Sequence, residues 1–385
     1  MNIYVTTQGA RIIREGRHLL VKKGEDTYHT LFVEKIRQLM LFGNVALTSA
    51  ACSHLFRHNV DTIFFRKDGR YVGRFASPEP KNVMLRKRQF GLLDDHDFGM
   101  AFGRSVVKGK LTNMISLLMR ISRTKKNKEP ARKAKEIRAL LSQIDKADTM
   151  NALRGYEGRG SALYFSGFQC GLLNPHNFTR RVRRPPTDPV NAVLSLLYTF
   201  LFNRVYAAVR KVNLDPYPAF LHTPDYGRHS LVMDLMEEFR VIVADTLTLS
   251  LFNLKILQKD DFIVEHTAPV KSRPQEPASP DVTRDRYGHL TDLDSSEMFD
   301  VPPQKMDDSL VESSVEEHRG KLPVKLKPAA FARVIENFER KLTTEFHYLP
   351  EDRKITLNDA LVSQARMYRK LIEGSVQEYQ PLPLR

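Results

Sequence analysis

The stretch LHTPDYGRHSLVMDLMEEFR, which covers Leu221–Arg240, places a histidine before acidic residues at helical spacing. Asp234 and Glu237 are three residues apart and share one face of a helix, and Glu238 lies four residues after Asp234. A neutral imidazole such as His222 is a common metal ligand, and carboxylates bind Mg²⁺ and Mn²⁺. The stretch is therefore either an amphipathic helix with a water-facing acidic side or half of a metal site.

The helix in this stretch is predicted to begin around Ser230, a residue type that favours the N-cap position. Its apolar face consists of Leu231, Leu235 and Phe239. Because the acids lie opposite that face, we expect them to point into a cleft or into water. His229 stands just before the predicted cap and is a second candidate for the ligand role that we assign first to His222.

A glutamate framed by glycines forms a second candidate site. Glu157 lies in the sequence RGYEGRGSALYF with Gly155, Gly158 and Gly160, just before an apolar run. Glycines allow tight turns and the close approach of a large ligand, so we expect a loop here. Glu157 is then either a solvated loop residue or an oxygen ligand for Mg²⁺ or Mn²⁺.

A third stretch, RRVRRPPTDPVNAVLSLLYTF, combines an arginine cluster with a helix start. Asp188 and Pro189 predict an N-cap and a first helical residue. Asn191 and Tyr198 are seven residues apart and therefore lie on one face of that helix. Arginines suit bidentate phosphate contacts, and the alternative is a charged loop before a core helix. The cluster consists of Arg180, Arg181, Arg183 and Arg184.

The charge balance of the chain favours a polyanionic partner. The 385 residues carry a formal net charge of +15, which usually marks nucleic acid or an acidic membrane surface. Residues 81–140 hold sixteen lysines and arginines against five acids, a net charge of +11. We expect this segment to contact DNA phosphates, although a solvated helical hairpin would look similar. Its densest part contains Arg123, Lys125, Lys126 and Lys128.

Composition divides the chain into an α+β arrangement. Residues 1–76 read as a small β-sheet domain with one short helix, and the two prolines of 77–82 predict a hinge. Residues 83–385 read as a larger all-α domain. It is interrupted at 267–320 by a segment with six prolines and a net charge of −6. We expect this insertion to be flexible, either as a tolerated surface loop or as an acidic decoy that competes with DNA.

Several classes of protein are disfavoured by the same composition. Cys52 and Cys170 are the only cysteines, so neither a disulfide framework nor a cysteine zinc site is indicated. The N-terminal residues lack the apolar core of a signal peptide. The longest apolar runs, such as Ala192–Phe202, fall short of a bilayer span. We therefore expect a cytoplasmic protein without a membrane partner.

Together the three stretches supply a glutamate, a histidine and a helix-borne acid in a basic helical domain. This set suits metal-assisted phosphodiester chemistry, in which a cation neutralises the phosphate and stabilises the leaving oxygen. The motifs GYEGRGSALYF, RRPPTDPVNAVLSLLYTF and LHTPDYGRHSLVMDLMEEFR, in that order, resemble the CRISPR-associated adaptation integrase, the endonuclease-like subunit that inserts new spacers. Leu41–Phe75 resembles its β domain, and FARVIENFERKL and LNDALVSQARMYRKLIEG resemble its C-terminal helices. The resemblance covers nearly the whole chain apart from 267–320.

The resemblance implies specific roles, a metal and partners. The metal ligands fall on Glu157, His222 and Glu237, with Asp234 as a further catalytic-site residue and weaker supporting roles for Asn191 and Tyr198. It implies one Mg²⁺ or Mn²⁺ per active site, a homodimer joined partly through the β domains, and a small ferredoxin-like partner dimer. The resemblance also implies that the substrate is a short DNA duplex whose 3′-hydroxyl attacks a phosphodiester at the edge of a CRISPR repeat. The loop TPDYGRH and the acidic insertion depart from the common pattern, so His229 stays an alternative ligand.

Other functions remain compatible with these residues. A nuclease that hydrolyses branched double-stranded DNA during repair would use the same site with water as the nucleophile. A non-catalytic DNA-binding scaffold would need only the basic surface. A metallohydrolase of small phosphoesters would leave the +11 segment without a purpose.

Overall fold

The computed structural model describes residues 1–75, 82–182, 185–224, 226–264 and 322–384. The predicted hinge lies outside the described residues except for Asn82, and so does the whole acidic insertion at 267–320. Arg183 and Arg184 of the arginine cluster also fall outside them.

Two four-stranded sheets form the N-terminal domain, as predicted. One sheet has the order β1-β5-β7-β8, in which only β8 is antiparallel to its neighbour, and the other has the order β4-β3-β2-β6. The elements are β1 (Asn2–Val5), β2 (Ala10–Glu15), β3 (His18–Lys23), β4 (Asp26–Phe32), β5 (Gln38–Phe42), β6 (Val45–Leu47), helix α1 (Ser49–Arg57), β7 (Asp61–Phe65) and β8 (Tyr71–Phe75).

Strand β5 is buried along its whole length because its two faces belong to two different cores. Successive side chains of a strand point to opposite faces. Leu39 and Leu41 pack inside the β domain, whereas Met40 and Phe42 pack against the helical domain. The two domains therefore share one sheet as a common wall.

The turn between β7 and β8 confirms the hairpin predicted at Lys67–Gly69. Gly69 donates its backbone N–H to the Arg66 carbonyl at 2.9 Å and has a φ of +85°. That backbone conformation favours glycine because it has no Cβ.

A larger helical domain follows, and the predicted order of a β domain and a helical domain is confirmed. Two short antiparallel ladders add to it, β9 with β10 and β11 with β12, so the domain is mostly but not entirely helical. The elements are α2 (Val83–Gly91), α3 (His96–Lys125), α4 (Lys128–Ile144), α5 (Met150–Phe168), α6 (Pro189–Lys211), α7 (Ser230–Phe239), α8 (Thr246–Asn253), β9 (Phe262–Val264), β10 (Val324–Leu326), α9 (Pro328–Leu342), β11 (Glu345–Tyr348), β12 (Arg353–Thr356) and α10 (Leu357–Glu373).

Helix α6 begins as the sequence predicts. Asp188 is its N-cap and accepts a hydrogen bond from the backbone N–H of Asn191 at 2.8 Å, and Pro189 is its first residue. Among the described residues, α6 alone is long and apolar enough to cross a bilayer, which corrects the sequence-based estimate of length. However, 67% of its apolar window is buried inside the protein. Its composition is that of a core helix.

A buried polar network joins the two domains around the side chain of Arg204 on α6. The guanidinium donates to Gln38 of β5, to the Tyr4 hydroxyl at 2.8 Å, and to Glu339 of α9, with which it forms an ion pair. Arg204 is 5% exposed, so loss of either charge would leave its partner poorly solvated. These contacts hold the β domain against α6 whatever the conformation of the connecting segment.

Candidate active site

His222 is held by an aspartate on the next helix. The Asp234 carboxylate is fully buried and accepts backbone hydrogen bonds from Phe220, Leu221 and His222 at 2.9–3.1 Å. Its Oδ1 also lies 2.7 Å from His222 Nδ1. Because a carboxylate accepts, this contact favours a proton on Nδ1, and in the neutral imidazole Nε2 then carries the lone pair. The Nε2 atom lies 3.7 Å from Glu237 Oε1, inside the candidate site.

Glu157 and Glu237 come together from two different helices around one lysine. The ammonium of Lys110, on α3, forms ion pairs with Glu157 of α5 and with Glu237 of α7, the latter at 2.6 Å. Ser161, one turn after Glu157, donates its hydroxyl to the same carboxylate at 2.9 Å. The two predicted carboxylate ligands therefore converge on one point, although 80 residues separate them in the sequence.

The electrostatic surroundings keep both carboxylates ionised. Burial alone would raise the pKa of the Glu237 carboxyl, but the charges of Arg240 and Lys110 outweigh burial and lower that pKa to about 2. Burial acts on Glu157 in the same direction, and the nearby Lys110 again turns the net shift of its pKa downward. Ionised carboxylates are the form that binds a divalent cation.

The donor set fits a divalent metal ion. It offers two carboxylates and an imidazole whose second nitrogen is fixed by a buried aspartate, a recurrent arrangement behind metal-binding histidines. Glu237 Oε2 is buried and pairs with the Lys110 ammonium at 2.6 Å. Within the described ranges, however, no three such side chains are already arranged to hold an ion.

The loop predicted around Glu157 is wrong. Glu157 lies inside helix α5, which Thr149 caps, rather than in a glycine-rich loop. A Cβ atom on Gly160 would lie 2.4 Å from a methyl of Leu111, so this glycine allows α5 and α3 to approach closely. Gly158 faces open space. Helix packing decides the conformation here, against the weak helix propensity of glycine.

The acids of α7 divide between two environments. None of them faces water, which was one of the two predicted alternatives. Asp234, Glu237 and Glu238 are each at most 2% exposed. Glu238 points away from the site and accepts hydrogen bonds from Gln364 at 2.9 Å and from the Tyr379 hydroxyl at 2.6 Å. Burial raises the pKa of Glu238 to about 7. This acid anchors the C-terminal segment to α7.

The start of α7 also differs from the prediction. Ser230 is its first residue rather than its N-cap, and its hydroxyl donates to the Thr223 carbonyl at 3.1 Å. The N-cap position belongs to His229, whose ring packs against the rings of Tyr206 and Tyr217, with centroids 5.0 and 4.8 Å away. The structure thus places the alternative histidine in an aromatic cluster, while His222 faces the carboxylates.

The two predicted supporting residues lie on α6, behind the site. The Tyr198 hydroxyl donates to Asp245 at 2.7 Å, and Arg240 stacks over the Tyr198 ring at 4.8 Å. Arg240 in turn lies 3.0 Å from Glu237, so Tyr198 is linked to the site through one side chain. Asn191 lies at the start of the helix, where its amide donates to the Arg180 carbonyl at 2.9 Å.

The predicted DNA-contacting residues occupy two places. Arg123, Lys125, Lys126 and Lys128 surround the junction of α3 and α4, and all but Lys125 are exposed. At 1.5 Å per residue this junction is about 22 Å along α3 from Lys110. Arg181 differs, because its guanidinium donates to Asn191 at 2.8 Å and to Ser195 at 3.0 Å. A role in phosphate binding for these residues stays a prediction.

Three side chains of the site were not singled out from the sequence. Arg240 follows Glu237 by three residues, and that spacing alone places it on the same helix face. Lys110 falls on the apolar face of α3, and a lysine at a core position is a usable signal of a buried counter-ion. Asp245 ends a six-residue π-helical segment after α7 and accepts hydrogen bonds from two tyrosines. Nothing local in the sequence predicts that segment.

Comparison with known proteins places this geometry in a family. The family model "CRISPR associated protein Cas1" matches residues 3–272. A CRISPR-associated endonuclease Cas1 of Thermus thermophilus is 38% identical over 67% of this chain and 77% of its own length. Another, of Chlorobaculum tepidum, is 30% identical over 70% of this chain and 80% of its own length.

Solved structures show the same fold at lower identity. A Cas1 protein from Thermotoga maritima superposes with a TM-score of 0.72 at 18% identity and covers both chains completely. A casposase bound to integration product gives 0.75 at 17% identity, over 98% of this chain and 92% of its own. A chain of a Cas6-RT-Cas1–Cas2 complex gives 0.74 at 20% identity, over 100% of this chain and 36% of its own. The predicted family is confirmed: the chain belongs to the Cas1 family of CRISPR-associated proteins.

Proposed function

We propose that this protein is a metal-dependent DNA endonuclease and integrase that inserts short DNA duplexes into a CRISPR array. The observation that carries the proposal is the pairing of Glu157 and Glu237 around Lys110, with His222 Nε2 at 3.7 Å from Glu237 and Asp234 fixing the histidine. The predicted enzyme class is confirmed by relatives that are CRISPR-associated endonucleases. Nucleases of this family are generally metal-dependent, and we propose Mg²⁺ or Mn²⁺ because two of the three ligands are carboxylates.

We assign ligand and positioning roles to the side chains of the site. Glu157, Glu237 and His222 Nε2 would hold the metal, which supplies positive charge for a phosphodiester and lowers the pKa of an attacking hydroxyl. Asp234 keeps the proton on His222 Nδ1 and so keeps Nε2 free to bind. Arg240, which is nearly buried between Glu237 and the Tyr198 ring, fixes the direction of the Glu237 carboxylate.

The proposed reaction is a transesterification. The 3′-oxygen of the incoming strand forms a bond to the phosphorus of a repeat-edge phosphodiester, and the bond to the original 3′-oxygen breaks. The leaving oxygen takes up the proton that the attacking hydroxyl lost. One phosphodiester replaces another, so no nucleotide cofactor is consumed. Hydrolysis would use the same groups with water as the nucleophile.

A basic surface about 22 Å along α3 from Lys110 suits a duplex or branched DNA. The net charge of +15 favours association with phosphates. Helix α3 connects the buried Lys110 with the exposed basic cluster at its C-terminal end. We propose that Arg123, Lys125, Lys126 and Lys128 contact the DNA backbone. Arg181 would act by positioning the start of α6 rather than by contacting phosphate, because its guanidinium is already bonded there.

We also propose partners and a location. The partners would be a second copy of this chain, joined partly through the β domain, and a small ferredoxin-like CRISPR-associated dimer. A protein of the same fold occurs in a Cas6-RT-Cas1–Cas2 complex, which supports assembly with a second adaptation protein. The cytoplasm, where the chromosome carries the array, would be the place of action.

The test uses purified protein, a branched DNA that mimics an integration intermediate, and Mn²⁺ with or without chelator. We expect the wild type to rejoin a strand and release the branch only when Mn²⁺ is present. Glu157→Gln and Glu237→Gln should lose this reaction by at least about 100-fold while still binding DNA. Glu336→Gln, on the exposed face of α9, is the matched control and should match the wild type.

Each alternative outcome points to a different function. Shortened strands without a rejoined product would favour a branched-DNA nuclease. Full activity in chelator would remove the metal from the proposal. Bound but unchanged DNA, even after addition of the partner dimer, would leave a non-catalytic scaffold.

A further inference from the structure

Lys110 is buried where a lysine is not expected. It lies on α3 among core residues such as Val107, Leu111 and Met114, and it is 4% exposed. A buried ammonium is stable only when charged partners compensate for its lost hydration. Its partners are Glu157 and Glu237, the two carboxylates proposed above as metal ligands.

We propose that Lys110 is an internal counter-ion that occupies the place of the divalent metal and competes with it for Glu157 and Glu237. This inference rests on the proposed function, because it takes these residues as the ligand set. Lys110 is thus a positioning residue. It keeps the two carboxylates facing each other when no metal is bound, and it sets the metal concentration at which the site becomes loaded.

Lys110 and a metal ion cannot both bind between Glu157 Oε1 and Glu237 Oε2, the two oxygens that the ammonium contacts. A Mg²⁺ or Mn²⁺ ion lies about 2.1 Å from each oxygen ligand, and the ammonium of Lys110 already lies 2.6 Å from Glu237 Oε2 while it pairs with Glu157. The ammonium and a metal ion cannot bind between the same two carboxylate oxygens at the same time. In the described part of the chain, no His, Cys, Asp or Glu trio is preformed for an ion, which agrees with a site held open by the ammonium.

The two carboxylates depend on Lys110 to different degrees. Glu237 keeps a second cation, Arg240, at 3.0 Å, whereas Glu157 keeps the Ser161 hydroxyl at 2.9 Å and only a longer-range interaction with Arg240. Removal of the ammonium therefore leaves Glu157, whose side chain is 21% exposed, as a less compensated charge facing a second carboxylate. Such a pair raises the free energy of the metal-free protein and favours any divalent cation that replaces the lost charge.

The test compares Lys110→Met with the wild type in full-length protein, using Mn²⁺ alone as the probe. We expect Mn²⁺ to bind the variant at least tenfold more tightly in calorimetric titration. We also expect a lower Tm for the variant in chelator and a larger rise of Tm on addition of Mn²⁺. Lys108→Met is the matched control, since Lys108 lies on the same helix but pairs with Asp145 at the surface. It should leave the Kd for Mn²⁺ unchanged.

An equal or weaker Mn²⁺ affinity in Lys110→Met would overturn the proposal. If that variant fails to fold without metal, Lys110→Arg provides a second comparison, because it keeps the charge and should keep the weak metal binding of the wild type. Tighter binding by Lys110→Arg would also count against competition. If Lys110→Met binds Mn²⁺ more tightly while the wild type never joins DNA strands, the counter-ion stands and the integrase proposal falls. If neither protein binds Mn²⁺, both proposals fall.

Discussion

The hydrogen bonds of Asp234 allow one substitution, Asp234→Asn, to be worked through quantitatively. Its Oδ1 accepts from the backbone N–H and Nδ1 of His222, and its Oδ2 accepts from the N–H groups of Phe220 and Leu221. An asparagine keeps only one oxygen, and its NH₂ group would face two donors on the other side. Whichever way the amide turns, two hydrogen bonds to a charged acceptor are lost.

The expected cost follows from those two bonds. A hydrogen bond to a charged group contributes about 1.5–3 kcal/mol, and removal of a buried charge returns part of the loss, so the free energy of unfolding should fall by about 3 kcal/mol. If the asparagine turns its NH₂ toward His222, the ring loses its acceptor and the Nδ1 proton is no longer fixed. Metal affinity should then fall by about 10–100-fold, as for other supports of metal-binding histidines.

Two measurements separate these effects. Urea denaturation in chelator gives the change in stability, and calorimetric titration with Mn²⁺ gives the change in Kd. Asp215→Asn is the matched control, because Asp215 is also buried but accepts from Arg86 at 2.9 Å, away from the carboxylate pair. The control should lose stability and keep its metal affinity. An Asp234→Asn protein that binds Mn²⁺ as tightly as the wild type would refute the argument.

Three further predictions concern the frame around the site. Gly160→Ala should lower the free energy of unfolding by about 1–3 kcal/mol, because its Cβ meets a leucine methyl of α3. Gly158→Ala should raise the free energy of unfolding by up to about 1 kcal/mol. Urea denaturation tests both, and equal effects would contradict the packing argument. Burial lowers the pKa of His229 from 6.5 to about 4, so between these pH values the unfolded chain binds more protons and stability falls on acidification, by up to about 3 kcal/mol. His229→Phe should remove that part of the pH dependence, and an unchanged pH profile would show that His229 is not the source. Arg204→Met should lower the free energy of unfolding by about 3 kcal/mol, because Glu339 loses its cation. In a double-mutant cycle, the further change Glu339→Gln should restore part of that stability. Strict additivity of the two changes would mean that the pair does not interact.

The ligand set could be proposed from sequence because each residue sits in a recognisable local pattern. The spacing of Asp234 and Glu237 survives in α7, and the Asp188 cap with Pro189 marks the start of α6. These two signals are local and survive in the structure, whereas the predicted cap at Ser230 and the predicted loop at Glu157 do not. The resemblance to a known family added the assignment of roles.

What the sequence could not predict depends on contacts between distant segments. The glycines around Glu157 suggested a loop, but the close packing of α5 on α3 requires a small residue at Gly160 and keeps the segment helical. The ion pairs of Lys110 join α3, α5 and α7, so no window of sequence contains them. The burial of Glu238 likewise depends on a C-terminal segment that lies more than 100 residues away in the chain.

Helix α6 passes from the active site to the β domain without a break. Tyr198 touches the arginine behind Glu237, and six residues later, about 9 Å along the axis, Arg204 enters the network with Gln38 and Tyr4. The helix therefore connects the candidate site directly with the β domain. A substitution at Gln38 on strand β5 therefore acts on the same helix that supports Arg240 beside Glu237.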